Sequence, residues 1–288
     1  MTKISSQKIT QMKNYIVVLF FLLPYISYGN DWKLDDQIKG ALSEVNRIRN
    51  EAGLDSVKIS KELSIGCYNH ARYLVLNRES PKVKGLNAHK EFPELEGYSE
   101  SGMKAGKRSV IHYVKPEKSV AGWEASFYHR IPLLQPNLKE IGIAYYEIEG
   151  YRTVSLIDCI SGVRGSSNKD VVFYPANNQV SIPVKMGAEN PHPVGIQGDY
   201  GFPITIYFTK RQTVKDVRFQ MTTKDGEIID CHLSTPESPA TSFTQWNSIC
   251  IIPFEPLESD KIYHVKIIAK VNDEDFKKMI EFQTKPDQ

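Results

Sequence analysis

Apolar residues recur at spacings of four and three through Leu34, Ile38, Leu42, Val45 and Ile48, and Gly53 follows. That period puts them on one stripe of an amphipathic helix, with the glycine as its C-terminal stop. A second helix is predicted from Ser60, a side chain suited to cap a helix start, to about Asn77. It places Leu63, Cys67, His70, Ala71 and Leu74 on one face, where His70 reads as a structural residue. Between Arg78 and Arg108 the period disappears, and the stretch holds His89, Glu91, Glu94, Glu96 and Glu100. Compact domains seldom keep so long a structureless loop unless it serves a site.

An extended piece from Ser109 to Val114 comes next, then a helix from Pro116 that aligns Val120, Trp123, Ser126 and His129 on one face. Two strands, Glu140 to Ile148 and Tyr151 to Ile157, are joined by a Glu149-Gly150 turn. Helices followed by a hairpin predict an α+β fold, with helices covering an antiparallel sheet. Residues 161–170 lose all apolar periodicity and concentrate Gly and Ser, which marks a linker between a domain at 30–160 and another at 171–288.

Beyond it, Pro203 to Thr209, Val214 to Met221, Glu227 to His232, Ser248 to Pro253, Tyr263 to Val271 and Phe276 to Thr284 are strand-sized. Tyr263, Val265, Ile267, Ala269 and Val271 alternate, as in a sheet with one buried face. Several short strands in such a length predict an all-β sandwich.

The first residues carry Lys3, Lys8 and Lys13 without an acid, then an apolar run from Tyr15 to Leu23 and small residues near Gly29. This is the pattern of a signal peptide over residues 1–29, too short in its apolar part for a membrane span. The expected mature chain is periplasmic or extracellular, with no transmembrane anchor. Removing the three lysines turns the formal +2 into −1, so the basic balance belongs to the leader. A nearly neutral chain without a Lys/Arg cluster has no electrostatic reason to seek nucleic acid or an anionic membrane.

Cys67, Cys159, Cys231 and Cys250 remain, and thiols in an oxidising compartment tend to pair. Cys231 and Cys250 lie in neighbouring strand-like stretches, where a bridge would stabilise by about 3 kcal/mol. For Cys67 and Cys159, a second bridge and two buried free thiols are both open.

The segment Trp123, Ser126-Phe-Tyr-His129-Arg130, an apolar run, Pro and Glu140-Ile-Gly142 resembles the bacterial branch of the CAP superfamily, the cysteine-rich secretory, antigen five and pathogenesis-related proteins. Asn46-Arg47-Ile-Arg49 and Ala71 extend the resemblance from about Ile38 to Ser161. It implies an α-β-α sandwich with a cleft of two His and two Glu that in several members holds a divalent cation such as zinc. His129 matches the second histidine, and His89 in Leu86-Asn-Ala-His-Lys90 the first. Glu100 matches one glutamate, although the Asn that follows it in relatives is Ser101 here. Where eukaryotic members carry the other glutamate this chain has Ser126, with Glu124 adjacent but rotated about the helix.

Ser126, His129 and Glu124 do not suit a hydrolase triad, because one helical turn cannot align nucleophile, base and acid. Tyr174-Pro-Ala176, Gly201-Phe-Pro-Ile-Thr205, Pro256-Leu257, Tyr263-His-Val265 and Phe282-Gln-Thr284 resemble bacterial immunoglobulin-like modules. These resemblances imply a secreted binding module with a cleft around His89, Glu100 and His129 for a small ligand, lipid, peptide or cell-wall component, joined to an immunoglobulin-like spacer or adhesion domain. The competing expectation is a metal-assisted peptidase, with Glu100 as general base on a water held by His89 and His129.

Overall fold

The first helix, α1 (Asp36–Glu51), starts where the Asp35 carboxylate accepts the Ile38 amide at 3.0 Å. The computed structural model describes residues 32–167, 169–196, 198–209, 212–243 and 245–287, so the leader expected at 1–29 lies outside the described residues. After the short β1 (Lys58–Ile59), α2 (Lys61–Leu76) opens on Ser60, whose hydroxyl accepts the Leu63 amide as its sequence predicts. Then come α3 (Glu100–Gly106), β2 (Ser109–His112), α4 (Pro116–Glu124), α5 (Arg130–Leu133) and the hairpin β3 (Glu140–Ile148) and β4 (Arg152–Asp158).

These strands form one sheet in the order β1-β3-β4-β2, with only the β1–β3 pair parallel. Its two faces are sorted by residue parity. Ala144, Val154, Leu156 and Ile111 pack with Cys67, Ala71 and Leu74 of α2. Ile141, Ile143, Ile157 and Val110 face Ile38, Val45 and Ile48 of α1 and Trp123 of α4. Helices therefore cover both faces, giving an α-β-α arrangement.

The remaining strands are β5 (Val171–Tyr174), β6 (Gln179–Ile182), β7 (Ile204–Phe208), β8 (Val214–Thr223), β9 (Cys231–Ser234), β10 (Ser248–Pro253), β11 (Ile262–Val271) and β12 (Glu274–Thr284). They make two four-stranded sheets, β5-β7-β10-β9 and β6-β12-β11-β8. Ile204, Ile206, Ile249 and Ile251 from one sheet and Tyr263, Val265, Ile267 and Ile280 from the other join a common apolar core. The alternation along β11 is the one the sequence predicts, and the β11–β12 turn sets both Asn272 and Asp273 at positive φ, 53° and 65°.

Three features differ from the sequence expectation. The stretch before Ser109 contains α3, whose seven residues carry too few apolar side chains to show a period. The helix from Pro116 stops at Glu124, because the Ser126 hydroxyl donates to Trp123 O at 3.0 Å and the chain turns before α5. Residues 161–167 and 169–170 do not run free as a linker would. The Lys139 amide donates to Gly162 O at 3.0 Å, the Arg164 amide to Asn137 O at 2.9 Å, and Lys169 Nζ to Ala52 O and Gly53 O at 2.7 Å each. Residues 32–288 form one compact unit.

The cysteine pairings are corrected: Cys67, Cys159, Cys231 and Cys250 are all free thiols. Cys231 sits opposite Pro253 in the β9–β10 register, three residues from Cys250. An odd offset puts the two side chains on opposite faces of the sheet, and they are about 10 Å apart along the strand. Cys231 Sγ accordingly lies 3.7 Å from Met221 Sδ. Cys250 packs instead with Phe127 and Tyr128. Cys67 Sγ rests 3.8 Å from Ser109 Oγ.

Candidate functional site

His89 is held from three sides. His70 is fully buried on α2 and engages the chain on either side of His89: Nε2 donates to Ala88 O at 2.8 Å, and Nδ1 is 2.8 Å from Glu91 Oε1. Glu91 Oε2 also accepts the Ser99 amide at 2.8 Å, which ties the segment to the start of α3. At Gly106 a Cβ would stand 2.5 Å from the His70 ring, so only glycine lets α3 approach this pair. The Gly106 carbonyl in turn accepts His89 Nδ1–H at 2.8 Å. Burial lowers the His89 pKa from its ordinary 6.5, assisted by the charges of His129 and His70. The neutral ring that results carries its proton on Nδ1 and keeps Nε2 as an acceptor.

His129 stands just before α5. Its Nδ1 lies 2.9 Å from Oε1 of Glu189, a buried carboxylate contributed by the loop between β6 and β7. Glu189 also accepts the amides of Phe127 at 2.9 Å and His129 at 3.0 Å, so it closes the turn left open between α4 and α5. Ser126 Oγ is 3.4 Å from the same Nδ1. A triad needs the hydroxyl and the acid on different ring nitrogens, and here both meet one. Glu124 is engaged elsewhere: it receives Arg47 Nη2 at 2.7 Å and the Tyr174 hydroxyl.

The two halves are joined through Arg130, whose side chain is fully buried. Its Nε donates to Glu124 O at 2.6 Å, and Nη1 to Pro203 O at 2.7 Å and Thr205 Oγ1 at 3.0 Å. The guanidinium also lies 4.4 Å from the Phe202 ring centroid. Burial lowers its pKa to about 10, which leaves it charged at neutral pH. Glu51 accepts Gln179 Nε2 at 2.7 Å, and the Tyr128 hydroxyl meets Thr241 Oγ1 at 2.9 Å, so the contact is polar as well as apolar.

His89 and His129 line one hollow of about 400 Å³, within the range of small-molecule sites. Val110, Tyr128, Ile131 and Cys159 supply inner wall from the first half, and Asn190, Phe243 and Trp246 supply wall from the second. No carboxylate lines it among the described residues. Glu100, expected in the cleft, is instead an exposed residue of the first turn of α3, where it takes no part in the wall.

The donor set does not fit the expected zinc. A catalytic zinc takes three protein ligands, and the wall offers two imidazoles without a carboxylate. Burial pushes the Cys159 thiol far above its usual range, which opposes the thiolate a metal needs. No group of three or more His, Cys, Asp or Glu side chains is placed to hold a metal among the described residues.

Residues 42–157 match the CAP family. Described in full as the cysteine-rich secretory protein family, that match runs from α1 into β4, so it takes in His89 and His129 and stops before Glu189. Among solved structures, an outer surface protein from Borrelia burgdorferi aligns over 44% of this chain and 92% of that chain, at 16% identity and a TM-score of 0.33. No curated protein matches the chain. No helix among the described residues is long and apolar enough to cross a membrane.

The sequence singles out His89 and His129 and does not reveal the residues that support them. Glu189, Asn190, Phe243 and Trp246 all come from loops of the second half, outside the CAP match. One signal was legible for the last two: aromatic side chains stand out in the otherwise polar stretch between β9 and β10.

Proposed function

We propose that this chain is an exported, non-catalytic binding protein in which the second half completes the ligand site of a CAP domain. The observation that carries this reading is the hollow itself, entered by His89 and His129 from one half and by Phe243 and Trp246 from the other. Its inner wall is apolar with few polar groups, the usual make-up of a small-molecule site. In place of a spacer role, the immunoglobulin-like second half then acts as a wall of the site, because Arg130 and Glu189 fix it rigidly against the turn that presents His129. The leader-like residues 1–29 support export.

A neutral apolar fluorophore such as N-phenyl-1-naphthylamine tests the reading. Saturable one-to-one binding is expected, weakened by Phe243→Ser and by Ile160→Ser, two exposed side chains of the hollow's mouth. Binding that does not saturate, or that ignores both substitutions while the urea midpoint is unchanged, removes the hollow as the site.

A further inference from the structure

The charges at the mouth of the hollow are all of one sign. Lys90, Lys107 and Arg108 are exposed and line it, and among the described residues no aspartate or glutamate does. Lys90 Nζ donates to the Asn87 side-chain oxygen at 3.2 Å and Arg108 Nη1 to Ser161 Oγ at 3.1 Å, both neutral partners. None of the three cations stands within ion-pair distance of a carboxylate among the described residues. Some surface lysines elsewhere are paired, as Lys139 with Asp55, Lys185 with Asp199 and Lys270 with Asp275. Three uncompensated cations thus stand around this opening, where they raise the local concentration of an anion.

The same mouth gathers apolar surface. Leu86, Ile160 and Phe243 are 48%, 38% and 37% exposed and line the hollow, a grouping of large apolar side chains in water that marks a binding surface. The Nε2 of neutral His89 adds an acceptor and no charge. Cationic rim and apolar throat ask for two different chemistries in one ligand.

We propose that the hollow takes an amphipathic anion, an apolar chain ending in a carboxylate or phosphate head, with the head on Lys90, Lys107 and Arg108 and the chain between Phe243 and Ile160. This rests on the binding reading above and specifies the ligand class. Neutral chains satisfy the throat alone and simple anions the rim alone, so neither gains both contacts.

The experiment is calorimetric titration of the whole protein with dodecanoate, dodecyl phosphate, dodecanol, dodecyltrimethylammonium and inorganic phosphate, each below its micelle concentration. The proposal expects at least one of the two anionic chains to bind about ten-fold tighter than dodecanol, with the tighter of the two identifying the head. It expects dodecyltrimethylammonium to bind more weakly than dodecanol. The double variant Lys107→Gln, Arg108→Gln, both at exposed positions, should weaken the anionic chains about five-fold and leave dodecanol unchanged, the size expected of two solvent-exposed charge contacts. Equal binding of dodecanol and the anions, lost together in Phe243→Ser, overturns the anion proposal and keeps the binding reading. Inorganic phosphate binding as tightly as dodecyl phosphate overturns it in favour of a simple anion site. A panel in which no chain binds overturns both.

Discussion

Glu189 and His129 lie 60 residues apart in sequence and meet at 2.9 Å, carboxylate oxygen to Nδ1, across the junction of the two halves. The same carboxylate accepts two backbone amides of the α4–α5 turn. Replacing it by alanine orphans those buried donors, at a cost of about 1–3 kcal/mol for each. Glu189→Ala should lower the urea unfolding free energy by about 3 kcal/mol, whereas Glu189→Gln, which keeps one accepting oxygen, should lose about half as much. Equal losses in the two variants would show that the side chain acts by packing alone.

Arg130 makes a different prediction, because its hydrogen bonds run to carbonyls and a hydroxyl on both sides of the junction. Arg130→Ala strands those acceptors inside the molecule, and unfolding should become easier by about 3–5 kcal/mol. Lysine cannot reproduce the planar fork, so Arg130→Lys should recover little of the loss. Near-complete recovery by lysine in thermal melts would contradict the geometry.

His89 carries a pH signature. Its folded pKa is lowered from 6.5, mainly by burial, so the unfolded chain binds its proton first as pH falls. In the window from 6.5 down to the lowered pKa, this group makes stability fall with pH; above 6.5 its contribution is flat. Per-residue histidine NMR should show the Nδ1–H tautomer at neutral pH and an inflection below 6.5. The stability difference between pH 7 and pH 5 should shrink in His89→Gln. A His89 inflection above 6.5 would reverse the sign and refute the burial account.

The thiols should be unreactive in the native state. Cys67, Cys159 and Cys250 are fully buried, and burial pushes the pKa of Cys67 and of the half-buried Cys231 to about 12. Non-reducing denaturation with iodoacetamide should add four labels per chain, and native labelling of the three buried thiols should be negligible over the same time. Two labels after denaturation would restore a disulfide.

The elements that could be foreseen are those long enough to show a period. Ser60 announces α2, Leu34 to Ile48 announce α1, and Tyr263 to Val271 spell out β11. β1, β5 and β6 have two to four residues each and owe their form to neighbours rather than to their own pattern. At the site, the resemblance around His129 named the imidazoles, but it took Glu100 into a cleft that α3 turns it away from. It also had no means of finding Glu189, since a partner supplied by another half leaves no spacing to read. The cysteine pairing failed on parity: neighbouring strands were correct, and register decides which face each thiol occupies.

The central claim is that both halves of the chain build the hollow, and the ring pair Tyr128 and Phe243 tests it most directly. Their centroids are 5.1 Å apart, edge to face, with one ring from each half. Selectively labelled protein should show aromatic cross-relaxation between Tyr128 and Phe243, and this should vanish in Phe243→Ser. An assigned spectrum with no such cross-peak would place the second half away from His129 and contradict the account.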